Sequence, residues 1–148
     1  MKKLLIYYSL SGNGDAVAEK LAETGYDIRK VEPVKKPPKR FIFQILAGGF
    51  QAARKYCEPL KDYEADVSGY DEIVIGSPVW NGRLSSPINT VLRDTEFGNR
   101  RVTFILYSGS GEAPKAEKQI HERVPNAVVV HLKEPKKHPE MLARLSDL

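Results

Sequence analysis

The sequence predicts a three-layer α/β fold, a doubly wound sandwich in which helices cover both faces of a five-stranded parallel sheet. Short apolar runs alternate with segments of helical periodicity along the chain. The runs are continuously apolar, which is typical of strands that are buried on both faces. The length of 148 residues suits one domain. We therefore expect a single domain over residues 1–148, with an irregular segment over residues 33–70.

The first strand and helix are predicted close to the start of the chain. Residues 4–8 form a short apolar run, and a turn rich in serine and glycine follows over residues 9–14. Asn13 is a plausible cap for the next helix, and Gly25 is expected to end it. A weaker second strand is predicted over residues 27–32. The helix is indicated by small apolar residues at helical spacing, namely Val17, Ala18, Leu21 and Ala22.

The second half of the chain predicts three more strands, over residues 71–76, 102–107 and 127–132. A helix opens at Ser86-Pro87, because proline suits the first turn of a helix. Two further helices are predicted. One follows the fourth strand and carries Ala116 and Ile120. The other is a short last helix that carries Met141, Leu142, Leu145 and Leu148.

The segment between the second and third strands departs from this rhythm. Residues 30–40 hold five basic side chains and three prolines, which indicates an extended, solvated stretch. Residues 41–57 are strongly apolar and predict a helix that covers one face of the sheet. The pair Gly48-Gly49 is expected to kink or break that helix, at about 1 kcal/mol per glycine.

Composition excludes several classes of protein. The formal net charge is +4, which permits anionic partners but is too small to indicate nucleic acid. No apolar run reaches the roughly 18 residues that a membrane span needs. The single cysteine, Cys57, forbids an internal disulfide and a thiolate zinc cluster, and the three histidines share no ligand spacing. We expect a soluble, cytoplasmic domain without a metal.

Ligands of such folds bind beyond the carboxyl ends of the strands, so the loops after the first, third and fourth strands are the candidate site. The first loop joins a strand to a helix start, where free amide donors and a partial positive charge favour a phosphate. Glycines there allow close approach, and Ser9 and Ser11 can point at one anion.

The other two loops favour a flat ligand. The only tryptophan, Trp80, is predicted to lie in a Gly/Pro/Asn loop after the third strand, where its indole could stack on a ring. Small residues follow the fourth strand over residues 108–111, so that peptide groups could pass close to a ring edge. Together the three loops describe a mononucleotide with a flat head group.

These motifs resemble the flavodoxin family. The resemblance rests on residues 5–13, 70–80 and 107–111, and it spans nearly the whole chain. It implies the strand order 2-1-3-4-5, flavin mononucleotide (FMN) as cofactor, and electron transfer through the flavin without catalytic side chains or a metal. The implied cofactor-binding residues are Ser9, Leu10, Ser11, Gly12, Asn13 and Gly14 around the phosphate, and Pro78, Val79, Trp80, Asn81, Gly82, Ser108, Gly109, Ser110 and Gly111 around the isoalloxazine ring.

The chain departs from the family pattern at two points. The family's phosphate loop usually ends in a hydroxyl residue where this chain has Gly14, and Asp15 adds a negative charge beside the expected phosphate. Small flavodoxins are also typically acidic, whereas this chain is basic. Its basic stretches over residues 30–40 and 133–138 predict acidic redox partner proteins or anionic substrates.

Other functions stay open at this point. One is a domain of the same fold that has lost its flavin and acts as a binding or scaffold module; another is an FMN-dependent reductase of the quinone type. The first loop also gives a partial dinucleotide fingerprint, with Glu32 in the position of a ribose-binding acid, but Val17 replaces its last small residue. No aromatic interleaving supports binding of nucleic acid.

Overall fold

The computed structural model describes residues 1–35, 39 and 56–148 of the chain. The five predicted strands and the helices after the first, third and fourth of them occur in the predicted order. The strands are β1 (Lys3–Tyr7), β2 (Asp27–Lys30), β3 (Glu72–Trp80), β4 (Arg83–Leu84), β5 (Arg101–Ser108) and β6 (Val128–Lys133).

Three α-helices and a final 3-10 helix lie in the described part of the chain: α1 (Asn13–Glu23), α2 (Ser86–Asp94), α3 (Pro114–Arg123) and the 3-10 helix Pro139–Leu145. Proline occupies the first turn of α2, of α3 and of the 3-10 helix. The backbone N–H that proline lacks would have no hydrogen-bond partner within the helix at this position, so nothing is lost. The last predicted helix is therefore in the expected place but adopts the tighter 3-10 form.

Five strands pair in parallel in the order β2-β1-β3-β5-β6, which confirms the predicted fold and strand order. The sheet has one addition that the sequence pattern did not predict. Strand β4 pairs antiparallel with the end of β3, so that residues after the predicted third strand form a hairpin. The third strand accordingly extends to Trp80 and does not end at Gly76.

Successive residues of β1 contribute to different hydrophobic cores. Leu4 and Ile6 belong to the core that also holds Ile88 of α2 and Ile120 of α3, while Leu5 packs with the helices on the other face. That second core includes Leu21 of α1, Leu145 of the 3-10 helix and Val74 of β3. Side chains alternate across a strand, so this division means that both faces of the sheet are covered.

The described ends of the segment over residues 33–70 lie side by side. Pro33 forms an antiparallel bridge with Leu60, and the Val34 amide donates to the Pro59 carbonyl at 2.9 Å. Most of the predicted helix over 41–57 lies outside the described residues, as do residues 36–38 and 40 of the basic stretch. In the described ranges, the helices are too short and too polar to span a bilayer.

Candidate functional site

The loops that follow β1, β3 and β5 meet at one edge of the sheet. Tyr7 at the end of β1 is level with Gly76 of β3, and Pro78 of β3 is level with Tyr107 of β5. Because these strands are parallel, their carboxyl ends lie next to one another. The three predicted ligand loops are therefore neighbours, as expected.

The turn after β1 leads directly into α1. Helix α1 begins at Asn13, and Gly12 precedes it with a φ of 96°, a left-handed conformation that glycine adopts without strain. The predicted cap at Asn13 is wrong, because Asn13 is already helical and the N-cap position is taken by Gly12, which has no side chain. The Ser9 hydroxyl instead accepts a hydrogen bond from the Gly14 amide at 3.1 Å. Ser9 thus holds the turn against the start of the helix.

Gly14 is packed too closely for any side chain. A methyl group at this position would lie 2.5 Å from the Tyr107 hydroxyl oxygen and 2.8 Å from Cβ of Ser9. The hydroxyl that the family pattern places here is therefore sterically excluded by Tyr107. Tyr107 is buried, and its hydroxyl donates to the Tyr8 carbonyl. Burial raises the pKa of Tyr107 well above its usual value, so the hydroxyl stays protonated.

Asp15 is turned towards the second strand and is paired there. Its Oδ1 accepts hydrogen bonds from the Tyr7 hydroxyl at 2.7 Å and from Nζ of Lys30 at 2.9 Å. Partial burial by itself would raise the pKa of Asp15, but the bonds from Lys30 and Tyr7 outweigh it and lower that pKa. The negative charge beside the turn is thus balanced by Lys30.

A second cation reaches the turn from the loop after β6. The Lys136 amide donates to Oδ1 of Asn13 at 3.0 Å, and Nζ of Lys136 donates to the Ser11 carbonyl at 3.5 Å. The side chain of Lys136 also lies over Gly12, with Nζ 3.0 Å from where a Cβ would stand. No feature of the local sequence predicts this contact between Lys136 and the turn after β1. The basic residues over 133–138 predicted acidic partners or anionic substrates instead.

The loop after β3 is a tight β-hairpin. Asn81 and Gly82 alone connect Trp80 to Arg83, and both have positive φ, 51° and 77°, as a type I′ turn requires. The Gly82 carbonyl accepts a hydrogen bond from the Ala116 amide at 3.1 Å, so the hairpin is fixed to the first turn of α3. The dipeptide Asn-Gly was the sequence signal for this hairpin.

The indole of Trp80 is turned into the protein. Trp80 is only 6% exposed, and its ring meets the Tyr8 ring edge to face at a centroid distance of 5.8 Å. The prediction that this tryptophan lies in a loop is therefore wrong. Trp80 is the last residue of β3. Its ring is buried with Tyr8 in the apolar core, which offers it more contact area than an exposed loop would. Burial and the nearby carboxylates of Glu58 and Glu32 raise the pKa of Tyr8 to about 12.

The loop after β5 is closed by its own side chains. The Ser108 hydroxyl accepts from the Gly111 amide at 2.9 Å, and the Ser110 hydroxyl donates to the Glu112 carbonyl at 3.0 Å. Gly109 and Ser110 are exposed at the edge of the sheet. A methyl group at Gly109 would meet no atom within 4 Å, so this loop leaves open space beside it.

The remaining predicted site residues lie in the first two loops. Leu10 is half-buried against the core, while Ser11 is exposed at the turn. Pro78 and Val79 are half-buried near the end of β3. The structure thus brings the predicted residues to one edge, where the side chains of Leu10, Val79 and Trp80 pack against the hydrophobic core.

The turn after β1 has the chemistry of an anion site. The first amides of a helix lack helical partners and carry partial positive charge, and here they stand beside two serine hydroxyls and the Lys136 ammonium. Gly12 has no side chain of its own over the backbone of the turn, whereas the space beside Gly14 is filled by Tyr107 and Ser9. A phosphate group fits this donor set, since charged acceptors form the stronger hydrogen bonds.

Comparisons with known proteins agree with this geometry. A family model described as flavodoxin matches residues 52–141. An NAD(P)H dehydrogenase (quinone) of Cupriavidus metallidurans is 34% identical over 92 residues, which is 62% of this chain and 45% of that protein. The chain therefore spans less than half the length of this curated relative.

Two solved structures resemble the whole fold. One, from Bacteroides uniformis and described as a flavoprotein, has a TM-score of 0.70 and 25% identity, and the match covers 89% of this chain and 86% of that one. The other is a flavoprotein of Lactobacillus acidophilus in complex with FMN. It has a TM-score of 0.67 and 21% identity, and the match covers 95% of this chain and 97% of that one.

Proposed function

This chain belongs to the flavodoxin family, and on that basis we propose that it binds FMN at the carboxyl edge of its sheet and transfers electrons through the bound flavin. The observation that carries the proposal is the turn between β1 and α1. Within this short turn lie the first amides of α1, the hydroxyls of Ser9 and Ser11 and the Lys136 ammonium. Such a turn suits a phosphate monoester.

The phosphate would be held by the turn over residues 9–14. The hydroxyls of Ser9 and Ser11 and the amides at the start of α1 would be its donors, and Gly12, which has no side chain, would let it approach the backbone. Ser9 can donate its own hydrogen while it accepts from the Gly14 amide, because a hydroxyl does both. The bond to Gly14 then orients Ser9 before the ligand arrives.

The ring would lie between the hairpin of residues 78–82 and the loop of residues 108–111. Asn81 and Gly109, both exposed, flank that space. Because Trp80 is buried against Tyr8, we expect its indole to support the hairpin from inside and not to stack on the ring. When bound, FMN supplies the redox chemistry, while the protein supplies position and electrostatics. Accordingly, none of these residues is assigned a catalytic role.

A quinone-type reductase is the second candidate function. It is favoured by the likeness to the NAD(P)H dehydrogenase (quinone), although this chain spans only part of that protein. The carrier function would instead use redox partner proteins, and the basic residues at this edge favour acidic ones. We propose a cytoplasmic location and one domain over residues 1–148 for either function.

Titration of the purified chain with FMN tests the proposal directly. Binding is followed by quenching of flavin fluorescence, with Ser11→Ala as the site variant and Ser146→Ala as its matched control. Ser146 lies near Leu148, whose carbonyl accepts from Lys3 at the opposite edge of the sheet. Loss of one bond to a charged group should cost Ser11→Ala about 1.5–3 kcal/mol, or roughly ten- to a hundredfold in affinity.

The outcomes separate the candidate functions. A chain that binds no FMN would be the flavin-free binding module and would overturn the proposal. If FMN binds, anaerobic titration with NADH, NADPH and a quinone separates the two redox functions. Rapid reduction by a nicotinamide and reoxidation by the quinone would identify a reductase, whereas inertness to both would favour the electron carrier.

A further inference from the structure

We propose that Lys136 is the residue that makes this site select a phosphorylated flavin over riboflavin, by supplying the positive charge that faces the phosphate. The inference rests on the proposed binding of FMN. It gives a specific role to the loop between β6 and the 3-10 helix, whose basic residues the sequence connected with acidic partners or anionic substrates.

The loop after β6 is attached to the turn by its backbone. The Lys136 amide donates to Oδ1 of Asn13, the first residue of α1. Pro135 is buried, and the His138 amide donates to the Glu134 carbonyl at 2.9 Å, so the loop is itself a closed turn. Lys136 is therefore presented at the start of α1 by a fixed backbone, and only its side chain has to move.

In the described ranges no carboxylate lies within ion-pair distance of the Lys136 ammonium, although its charge helps to lower the pKa of Asp15. Its Nζ donates to the Ser11 carbonyl at 3.5 Å, a long bond to a neutral acceptor. The ion pairs of the described residues include Lys30 with Asp15 and Lys137 with Glu134, but none with Lys136. A phosphate arriving beside Ser11 would offer this ammonium a stronger acceptor.

The structure also excludes the hydroxyl donor that the family pattern has at position 14. A hydroxyl at position 14 is excluded, since Tyr107 fills the space beside Gly14. The bond that this hydroxyl would give a phosphate must come from elsewhere, and Lys136 is a charged donor within reach of the turn. An ammonium interacts with the charge of the phosphate, so its contribution should be weakened by salt.

The test compares the affinities of the whole chain for FMN and riboflavin, measured by flavin fluorescence at low and raised salt. The site variant is Lys136→Met, and the matched control is Lys137→Met. Lys137 is the next residue, carries the same charge and pairs with Glu134 at 3.1 Å. Both variants lower the net charge equally, so a difference between them reports position and not overall charge.

We expect Lys136→Met to bind FMN roughly tenfold more weakly while its affinity for riboflavin and its melting temperature stay unchanged. Its FMN affinity should also depend less on salt than that of the unchanged chain. Lys137→Met should resemble the unchanged chain in all these measurements, and Lys136→Arg should recover most of the preference for FMN.

Three results would overturn the inference while the proposed function stands: Lys136→Met keeps its FMN affinity, it loses affinity for FMN and riboflavin equally, or Lys137→Met shows the same loss. An unchanged chain that binds both flavins equally well would overturn it too. A chain that binds neither flavin would remove the proposed function along with it.

Discussion

The hydroxyl of Tyr107 lies in the space that a side chain at Gly14 would occupy, 2.5 Å from the position of its Cβ. The two residues come from opposite halves of the chain, and Tyr107 also contacts Gly76, where a methyl group would lie 3.3 Å from the same oxygen. The departure of Gly14 from the family pattern is therefore a packing requirement of this chain. It follows from the tyrosine at the end of β5.

Restoring the family's hydroxyl residue by Gly14→Thr should destabilise the protein and should not improve binding of FMN. Overpacking against Tyr107 and Ser9 should lower the free energy of unfolding by about 1–3 kcal/mol. Urea unfolding measures this loss. The double variant with Tyr107→Phe should recover part of it, because the clashing oxygen is gone, and a double-mutant cycle gives the coupling. A Gly14→Thr chain as stable as the unchanged one would contradict the packing.

The Asp15–Lys30 pair should contribute stability at neutral pH and lose it in acid. The pKa of Asp15 is lowered from 3.8 in the folded chain, so the contribution is present above 3.8 and declines as the pH falls below it through the folded pKa. We expect Asp15→Asn to cost less than about 1 kcal/mol at pH 7, since the pair is partly exposed.

Urea unfolding from neutral to strongly acidic pH checks the expected dependence on Asp15. The difference between the unchanged chain and Asp15→Asn should shrink towards zero in acid. In a Lys30→Met background the difference should be smaller at every pH, because the main charged partner is absent. A difference that grows as the pH falls would show that the pKa of Asp15 is raised on folding and not lowered.

Trp80 should report a buried environment in fluorescence. It is the only tryptophan, it is 6% exposed, and it packs against Tyr8. We therefore expect emission at short wavelength and weak quenching by iodide, and Tyr8→Ala should shift the emission to longer wavelength. Trp80→Phe should retain FMN affinity within about twofold, a change of less than about 1 kcal/mol. Strong iodide quenching in the unchanged chain would place the indole outside.

The Asn81-Gly82 turn should tolerate no side chain at its second position. Gly82 has a φ of 77°, so Gly82→Ala should cost about 1–2 kcal/mol of folding free energy. Gly109→Ala is the matched control, because Gly109 has no positive φ and no neighbour within 4 Å of a new methyl group. Thermal unfolding of the two variants checks the expected difference. Equal melting temperatures would count against the type I′ turn.

The local elements could be predicted because their signals are local. The apolar run over residues 4–8 predicted β1, which the structure places one residue earlier, at Lys3–Tyr7. The glycine-rich turn after that run predicted the start of α1. The parallel order followed from the family resemblance. The hairpin at Asn81-Gly82 had a local signal as well, but the surrounding glycines and prolines suggested an irregular loop.

Contacts between distant parts of the chain could not be predicted. Gly14 indicated a missing hydroxyl, and only its packing against Tyr107 explains why none fits. In the sequence nothing distinguishes Lys136 from the other basic residues near it, and only the fold shows that it lies beside Asn13. The direction of Trp80 depended on its contact with the ring of Tyr8, which lies far away in the sequence.

The strands, their covering helices and the turn suited to a phosphate could be predicted before the fold was known, because hydrophobic periodicity and glycine placement act over a few residues. The tertiary structure alone decided which side chains meet at that turn. Tyr107 and Lys136 reach it only because parallel strands bring their carboxyl ends to one edge, and that arrangement is set by packing across the whole chain.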